Sequence, residues 1–384
     1  MELEQSFIAL IEQSIKTNWY LNALTDYKGI TLQYRDVARK IEKIHILLEN
    51  AGIEKGDKIA ICGRNSAHWT VTYLAVITYG AVVVPILHEF KADQVHNIVN
   101  HSEARLLFVG DQIWENLNEA AMPHLEGIIE LKDFGVPVSR SEKLAYARDH
   151  LNEIFGHKFP CRFRPDDISY EKEKSEDLAI INYTSGTTGY SKGVMLPYRS
   201  LWSNTTFAFE VLSLNSGDKV VSMLPMAHMY GLAFEFLYEI AVGCHIYYLT
   251  RMPSPKIIFQ AFAEVKPRIV IAVPLIIEKI IKKNVLPKLE TPTMKLLLKV
   301  PFVNDKIKAT VRDQVIQAFG GNFEEVIIGG AAFNHDVEQF LKMIDFPYTV
   351  GYGMTECGPI ICYEDWKRFK PGSCGKAAPR MEVK

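Results

Sequence analysis

The chain has 384 residues, enough for two or three compact units at roughly 150 residues each. Its 43 Lys and Arg against 45 Asp and Glu leave the charge almost balanced, which argues against a nucleic-acid partner. The six cysteines (Cys62, Cys161, Cys244, Cys357, Cys362, Cys374) form no C-x-x-C pair, so buried thiols in a reducing compartment are expected rather than a disulfide framework or a metal knuckle.

The start, Met1-Glu2-Leu3-Glu4-Gln5, lacks the basic segment of a signal peptide. Residues from Met1 to about Asn18 read as an amphipathic helix with Phe7, Ile8, Ile11 and Ile15 on one side, a stripe that suits core packing. Thr31 can cap a second helix carrying Tyr34, Val37, Ile41, Ile44 and Leu48, which stops near Gly52. After the Gly56-Asp57 turn come a strand from Lys58 to Cys62 and a helix capped by Ser66 that carries Trp69, Tyr73 and Val76. A strand from Ala81 to Pro85, a helix from Gln94 to Asn100 and a strand from Leu106 to Val109 follow. This βαβ alternation predicts a mostly parallel sheet with helices on both faces. The longest apolar run, Leu74 to Leu87, is broken by Gly80 and Pro85 and is too short to span a bilayer, so a cytoplasmic protein is expected. Ser139 to Asp177 carries little pattern. It ends in the charge run Glu171 to Asp177, read as a solvated link.

The most informative stretch comes next. Leu178 to Ile181 reads as a buried strand, and Thr184-Ser185-Gly186-Thr187-Thr188-Gly189-Tyr190-Ser191-Lys192-Gly193 follows it. Glycines let a backbone approach a ligand closely and point consecutive N–H groups at one anion. Four hydroxyls and the mobile charge of Lys192 complete a device for holding a polyphosphate. It is not a Walker P-loop, because Tyr190 and Ser191 separate Gly189 from Lys192 and no Ser or Thr follows the lysine.

A helix from Ser200 to about Leu212 and a strand from Lys219 to Met223 lead into Leu224-Pro225-Met226-Ala227-His228-Met229-Tyr230-Gly231. His228 thus follows the carboxyl end of a strand, where open α/β sheets place ligands. Further strands at Ile269 to Val273 and Glu325 to Ile328 continue the alternation, the second running into Gly329-Gly330-Ala331-Ala332, small enough for a flat ring to lie against the backbone. In Gly351-Tyr352-Gly353-Met354-Thr355-Glu356, a tyrosine between glycines can stack on a purine, and Glu356 is a hard oxygen ligand suited to Mg²⁺. The final Met381 to Lys384 reads as the beginning of a strand.

Tyr183 to Gly193 resembles the Y-T-S-G-T-T-G-x-P-K-G signature of the adenylate-forming enzymes (acyl-CoA synthetases, luciferases and adenylation domains), differing only in Ser191 for Pro. Lys55 to Ala60, Gly80 to Pro85, the L-P-x-x-H-x-x-G stretch around His228 and the G-Y-G-x-T-E stretch resemble further landmarks of that family. Val326 to Ala332, Pro274 with Glu278 and Lys279, and Asn100 to Ala104 are most similar to long-chain fatty acid–CoA ligases.

The resemblance implies an α/β fold: the large N-terminal domain of an adenylate-forming enzyme, divided near residues 1–170, 171–345 and 346–384, the last being the start of a small β-barrel. It implies that Thr184, Ser185, Gly186, Thr187, Thr188, Gly189, Lys192 and Thr355 hold phosphates, and that Gly329, Gly330, Ala331 and Ala332 lie against adenine. Tyr352, between Gly351 and Gly353, would stack on the ring. Glu356 would hold Mg²⁺, His228 would border the reacting carboxylate and Gly231 would leave room for the acyl chain. Lys192, His228, Thr355 and Glu356 are thus the expected catalytic residues. ATP, Mg²⁺ and coenzyme A are the implied cofactors and co-substrates, a fatty acid the substrate, and peripheral membrane contact is compatible with it. An aryl- or other carboxylate–CoA ligase, an acyl-AMP ligase loading a carrier protein, and a non-catalytic nucleotide- or acyl-binding module stay open. The family's T-G-D segment and its small C-terminal domain with a catalytic lysine are not found in the 384 residues, so a chain cut before that domain is expected.

Overall fold

The computed structural model describes residues 6–184, 191–250, 254–284, 287 and 301–384. Its largest sheet has seven strands in the order Val138–Ser139, Gly127–Glu130, Leu106–Val109, Lys58–Cys62, Val82–Ile86, Leu178–Thr184, Lys192–Pro197. The five inner strands run parallel and the two outer ones antiparallel. Val82–Ile86 is buried along its whole length, as a β-branched run covered on both faces must be. Helix Ala67–Thr78 lies across this sheet, started by Ser66, whose hydroxyl accepts the Trp69 N–H at 3.1 Å. The strand leading to the Gly/Ser/Thr loop belongs to this first sheet, beside Val82–Ile86.

The first helix is Phe7–Thr17, and Phe7, Ile8, Ile11 and Ile15 are buried as expected. The second begins at Tyr34, not after Thr31. Thr31 sits instead in strand Thr31–Gln33 opposite Thr25, the two hydroxyls 2.8 Å apart, and a β-branched residue suits that pairing. The Gln33 N–H goes to the Asp36 carboxylate. The charge run is more than a solvated link. Glu173 accepts hydrogen bonds from the Ser6 hydroxyl (2.7 Å) and the Phe7 N–H (2.5 Å) and so holds the start of the first helix.

A second sheet orders Lys219–Ser222, His245–Tyr248, Asn22–Asp26 and Thr31–Gln33, tying the amino-terminal residues to the middle of the chain. A third is fully parallel: Val270–Ala272, Val326–Ile328, Tyr348–Val350. After Gly351 the chain forms a small antiparallel sheet of Tyr352–Gly353, Ile360–Tyr363 and Lys376–Ala377. It is open, and no closed barrel forms among the described residues. Met381 to Lys384 forms no strand, a correction to the sequence reading. Just before it, Arg380 turns with a positive φ of 70° and its guanidinium pairs with Glu210 at 2.9 Å. Of the cysteines, Cys62 and Cys244 are buried, whereas Cys161 and Cys374 are exposed, so the expectation of buried thiols holds for only part of the set. No helix among the described residues is long and apolar enough to cross a membrane.

Candidate functional site

Three strands deliver residues to one cleft from their carboxyl ends. Lys219–Ser222 runs toward His228, Val326–Ile328 into Gly329-Gly330, and Tyr348–Val350 into Gly351-Tyr352-Gly353. Together with Thr355 these residues line one cleft. Carboxyl ends are where open parallel sheets leave room for a ligand. Phe207, Tyr230, Phe234 and Tyr363, which the sequence reading did not single out, supply aromatic walls. Tyr230 was legible in retrospect, since it stands inside the His228 motif.

Small residues have a visible cause here. A Cβ on Gly329 would come 3.1 Å from the Tyr230 ring, so the tyrosine can lie flat across the backbone only because position 329 is bare. Its hydroxyl donates to the carbonyls of Ile327 (3.1 Å) and Ala272 (3.4 Å), and burial pushes its pKa up, keeping it a neutral donor. A Cβ on Gly353 would lie 2.3 Å from the Pro359 oxygen, inside the turn that brings Thr355 to the cleft. Gly231 is also a packing requirement. A Cβ there would meet the Pro225 carbonyl at 2.7 Å, so its bareness serves close packing of its own loop.

His228 caps the short turn Met229–Leu232, its Nδ1 accepting the Tyr230 N–H at 3.3 Å. That bond leaves the proton of a neutral imidazole on Nε2. Although the ring keeps a solvent-exposed edge, atoms crowded around it push its pKa below the ordinary value, so the neutral form prevails at pH 7. Thr355 is buried at the head of the turn Thr355–Cys357, while Glu356 is exposed. Strand Lys192–Pro197 packs against this turn, and Thr184 and Lys192 face each other in register where the hairpin opens. Among the described residues neither Lys192 nor Glu356 has an ion-pair partner. Ser185, Gly186, Thr187, Thr188 and Gly189 lie outside the described residues. Ala331 and Ala332 are exposed beyond Gly330 and do not line the cleft.

Behind the cleft wall, Tyr363 donates to the buried Glu325 carboxylate at 2.7 Å, and burial pushes the Glu325 pKa up to about 7. No cluster of three or more metal-ligating side chains exists among the described residues. The Glu356 carboxylate, exposed and without an ion-pair partner among the described residues, is of a kind that fits Mg²⁺, which is commonly held by one or two carboxylates plus substrate phosphates.

The fold is that of the large N-terminal domain of an adenylate-forming enzyme. The chain belongs to the AMP-binding enzyme family, which matches residues 12–384. It is similar to human long-chain-fatty-acid–CoA ligase ACSBG2, 26% identical over 375 residues that cover 90% of this chain and 54% of the human protein. The inhibitor-bound N-terminal domain of FACL13 from Mycobacterium tuberculosis superposes with a TM-score of 0.71 at 20% identity, covering 97% of this chain and 82% of that one. ATP-bound MatB from Rhodopseudomonas palustris gives a TM-score of 0.73 at 18% identity, with 98% and 65% covered. At these identities the structural matches establish the fold. The chain spans about half the length of the curated relatives it matches.

Proposed function

We propose that these residues form the nucleotide- and carboxylate-binding part of an acid–thiol ligase that activates a fatty acid, of long chain length, first as acyl-AMP and then as acyl-CoA. The observation that carries this reading is the convergence of His228, Gly329-Gly330, Gly351-Tyr352-Gly353 and Thr355 on one apolar-walled cleft beside the hairpin of Thr184 and Lys192.

In the first step a carboxylate oxygen attacks the α-phosphorus of ATP, and the bond to the bridging oxygen breaks with its electron pair leaving on pyrophosphate. Both reactants are anionic, so the barrier is mainly repulsion and positioning. Lys192 and the hydroxyls and N–H groups from Thr184 onward would spread over the phosphates, with Thr355 beside them. Magnesium, held by Glu356 and phosphate oxygens, would supply the remaining charge neutralisation. Tyr352 would stack on adenine over Gly329-Gly330. His228, neutral with Nε2–H, would donate to the carboxylate and orient it without first forming an ion pair. In the second step the CoA thiolate attacks the acyl carbonyl and AMP departs.

ATP–pyrophosphate exchange with a panel of carboxylic acids, in a form carrying the C-terminal region found in the relatives, tests this. Exchange driven by long-chain acids, followed by acyl transfer to CoA, is expected. Exchange only with aryl or short acids, or transfer only to a carrier protein, would replace the fatty acid–CoA assignment, and no exchange at all would remove the ligase.

A further inference from the structure

Five residues, Met223 to Ala227, separate strand Lys219–Ser222 from His228. Their main-chain groups are taken up largely by side chains. One oxygen of Glu235 accepts the N–H groups of Met223 (2.9 Å) and Leu224 (2.8 Å) and the Ser222 hydroxyl (3.1 Å). The Asn65 amide donates to the Leu224 carbonyl (2.6 Å) and accepts the Met226 N–H (3.0 Å). The Asn182 amide donates to the Ala227 carbonyl (2.9 Å), one residue before His228.

These three side chains come from separate elements. Asn65 follows strand Lys58–Cys62, Asn182 lies in Leu178–Thr184 two residues before the phosphate-binding stretch, and Glu235 lies in the π-helical turn Ala233–Leu237. Glu235 is 0% exposed, its second oxygen has no hydrogen-bond partner, and no cation pairs with it among the described residues. An apolar side chain would be far cheaper to bury there. What the carboxyl supplies and an apolar side chain could not is an acceptor for two adjacent N–H groups. Asn182 joins the phosphate strand to the residue preceding His228, so it also sets how far the phosphate side stands from the carboxylate side.

We propose that Asn65, Asn182 and Glu235 are positioning residues that hold His228 in register with the phosphate-binding strand. The proposal rests on the functional reading above and deepens it. None of the three touches the cleft; each acts through the backbone that carries His228.

The test uses residues 1–384, with a non-reactive acyl-sulfamoyl adenosine as the probe of the combined site and ATP as the probe of the nucleotide half, both by calorimetry. Glu235→Leu should weaken the acyl probe about tenfold with ATP affinity unchanged, because two buried N–H groups lose their acceptor. Glu235→Gln, which keeps the acceptor oxygen, should stay within about twofold of wild type. In a His228→Ala background the Glu235→Leu effect should vanish, since both changes remove the same contact. Equal losses for Gln and Leu, or an undiminished loss in the His228→Ala background, would reduce Glu235 to general packing and overturn the proposal. Asn182→Ala should repeat the Leu pattern, which keeps the test open if Glu235→Leu fails to fold. The His228 titration followed by NMR needs no ligand. Its depressed midpoint should move toward the ordinary value in Glu235→Leu but not in Glu235→Gln, and an unmoved midpoint would count against the clamp even if the wild type bound neither probe.

Discussion

Lys192 stands exposed where the hairpin opens, with no ion-pair partner among the described residues. If it stabilises the β- and γ-phosphates in the transition state, Lys192→Ala should slow adenylation by about 3–4 kcal/mol. Unchanged pyrophosphate exchange in a folded variant would sink that role. Tyr352 presents a ring that is 52% exposed at the cleft, open to a ligand on one side. Tyr352→Ala should weaken ATP binding by about 1–3 kcal/mol, whereas Tyr352→Phe should change it little, because stacking needs the ring and not the hydroxyl.

Glu325 gives a pH signature. Its pKa is raised to about 7 in the folded chain, so folding favours its protonated form. Its contribution is therefore fully present below the unfolded carboxyl value, is lost as pH rises from there to about 7, and stays constant above. A shift of that size corresponds to about 3 kcal/mol. Glu325→Gln keeps an acceptor for the Tyr363 hydroxyl and abolishes the titration. The stability difference between pH 5 and pH 8, measured by denaturant unfolding, should be smaller in the variant than in wild type. An equal difference would assign the pH dependence elsewhere.

At the scale of elements, Gly231, Gly329 and Gly353 proved to be local steric requirements. Gly353 is the sharpest case, and Gly353→Ala should lower stability by about 2 kcal/mol or more, because the obstacle is a backbone oxygen that cannot rotate away. A melting temperature equal to wild type would contradict that geometry. The strands with long apolar runs and the helices with capped stripes were legible in the sequence, since burial and periodicity mark both. Asn22–Asp26 and Thr31–Gln33 were not. Both are short, and Asn22–Asp26 pairs with His245–Tyr248 more than two hundred residues away, while Thr31–Gln33 pairs only with Asn22–Asp26 and so depends on it. Met381 to Lys384 failed for the opposite reason, an alternating pattern with no strand beside it. At the site, the motifs marked His228, Gly329, Gly330, Tyr352 and Thr355, which meet the cleft, but not its aromatic walls Phe207, Phe234 and Tyr363. The side chains that hold those motifs in place, Asn65, Asn182 and Glu235, form no pattern along the sequence and emerge only from the fold.

For the whole molecule, the seven-stranded sheet carries the strand proposed to lead into the phosphate site, while the second and third sheets carry the His228, Gly329 and Tyr352 segments. The candidate site is where these sheets meet. Relatives such as the human ligase are nearly twice as long as the region they share with this chain. The 384 residues taken alone are accordingly expected to bind ligand but not to form acyl-CoA, because closing the site over the reactants needs a covering domain. Substantial acyl-CoA synthesis by these residues alone would mean that the reactive groups lie elsewhere than proposed.

The central claim is that the cleft between His228, Gly329 and Tyr352 is a nucleotide site. Thermal unfolding of residues 1–384 with and without ATP and Mg²⁺ tests it most directly, with Tyr352→Ala in parallel. A ligand that binds only the native state raises the melting temperature by mass action. The account predicts a dose-dependent rise in wild type that is much reduced in Tyr352→Ala. No rise in wild type, or an equal rise in the variant, would contradict it.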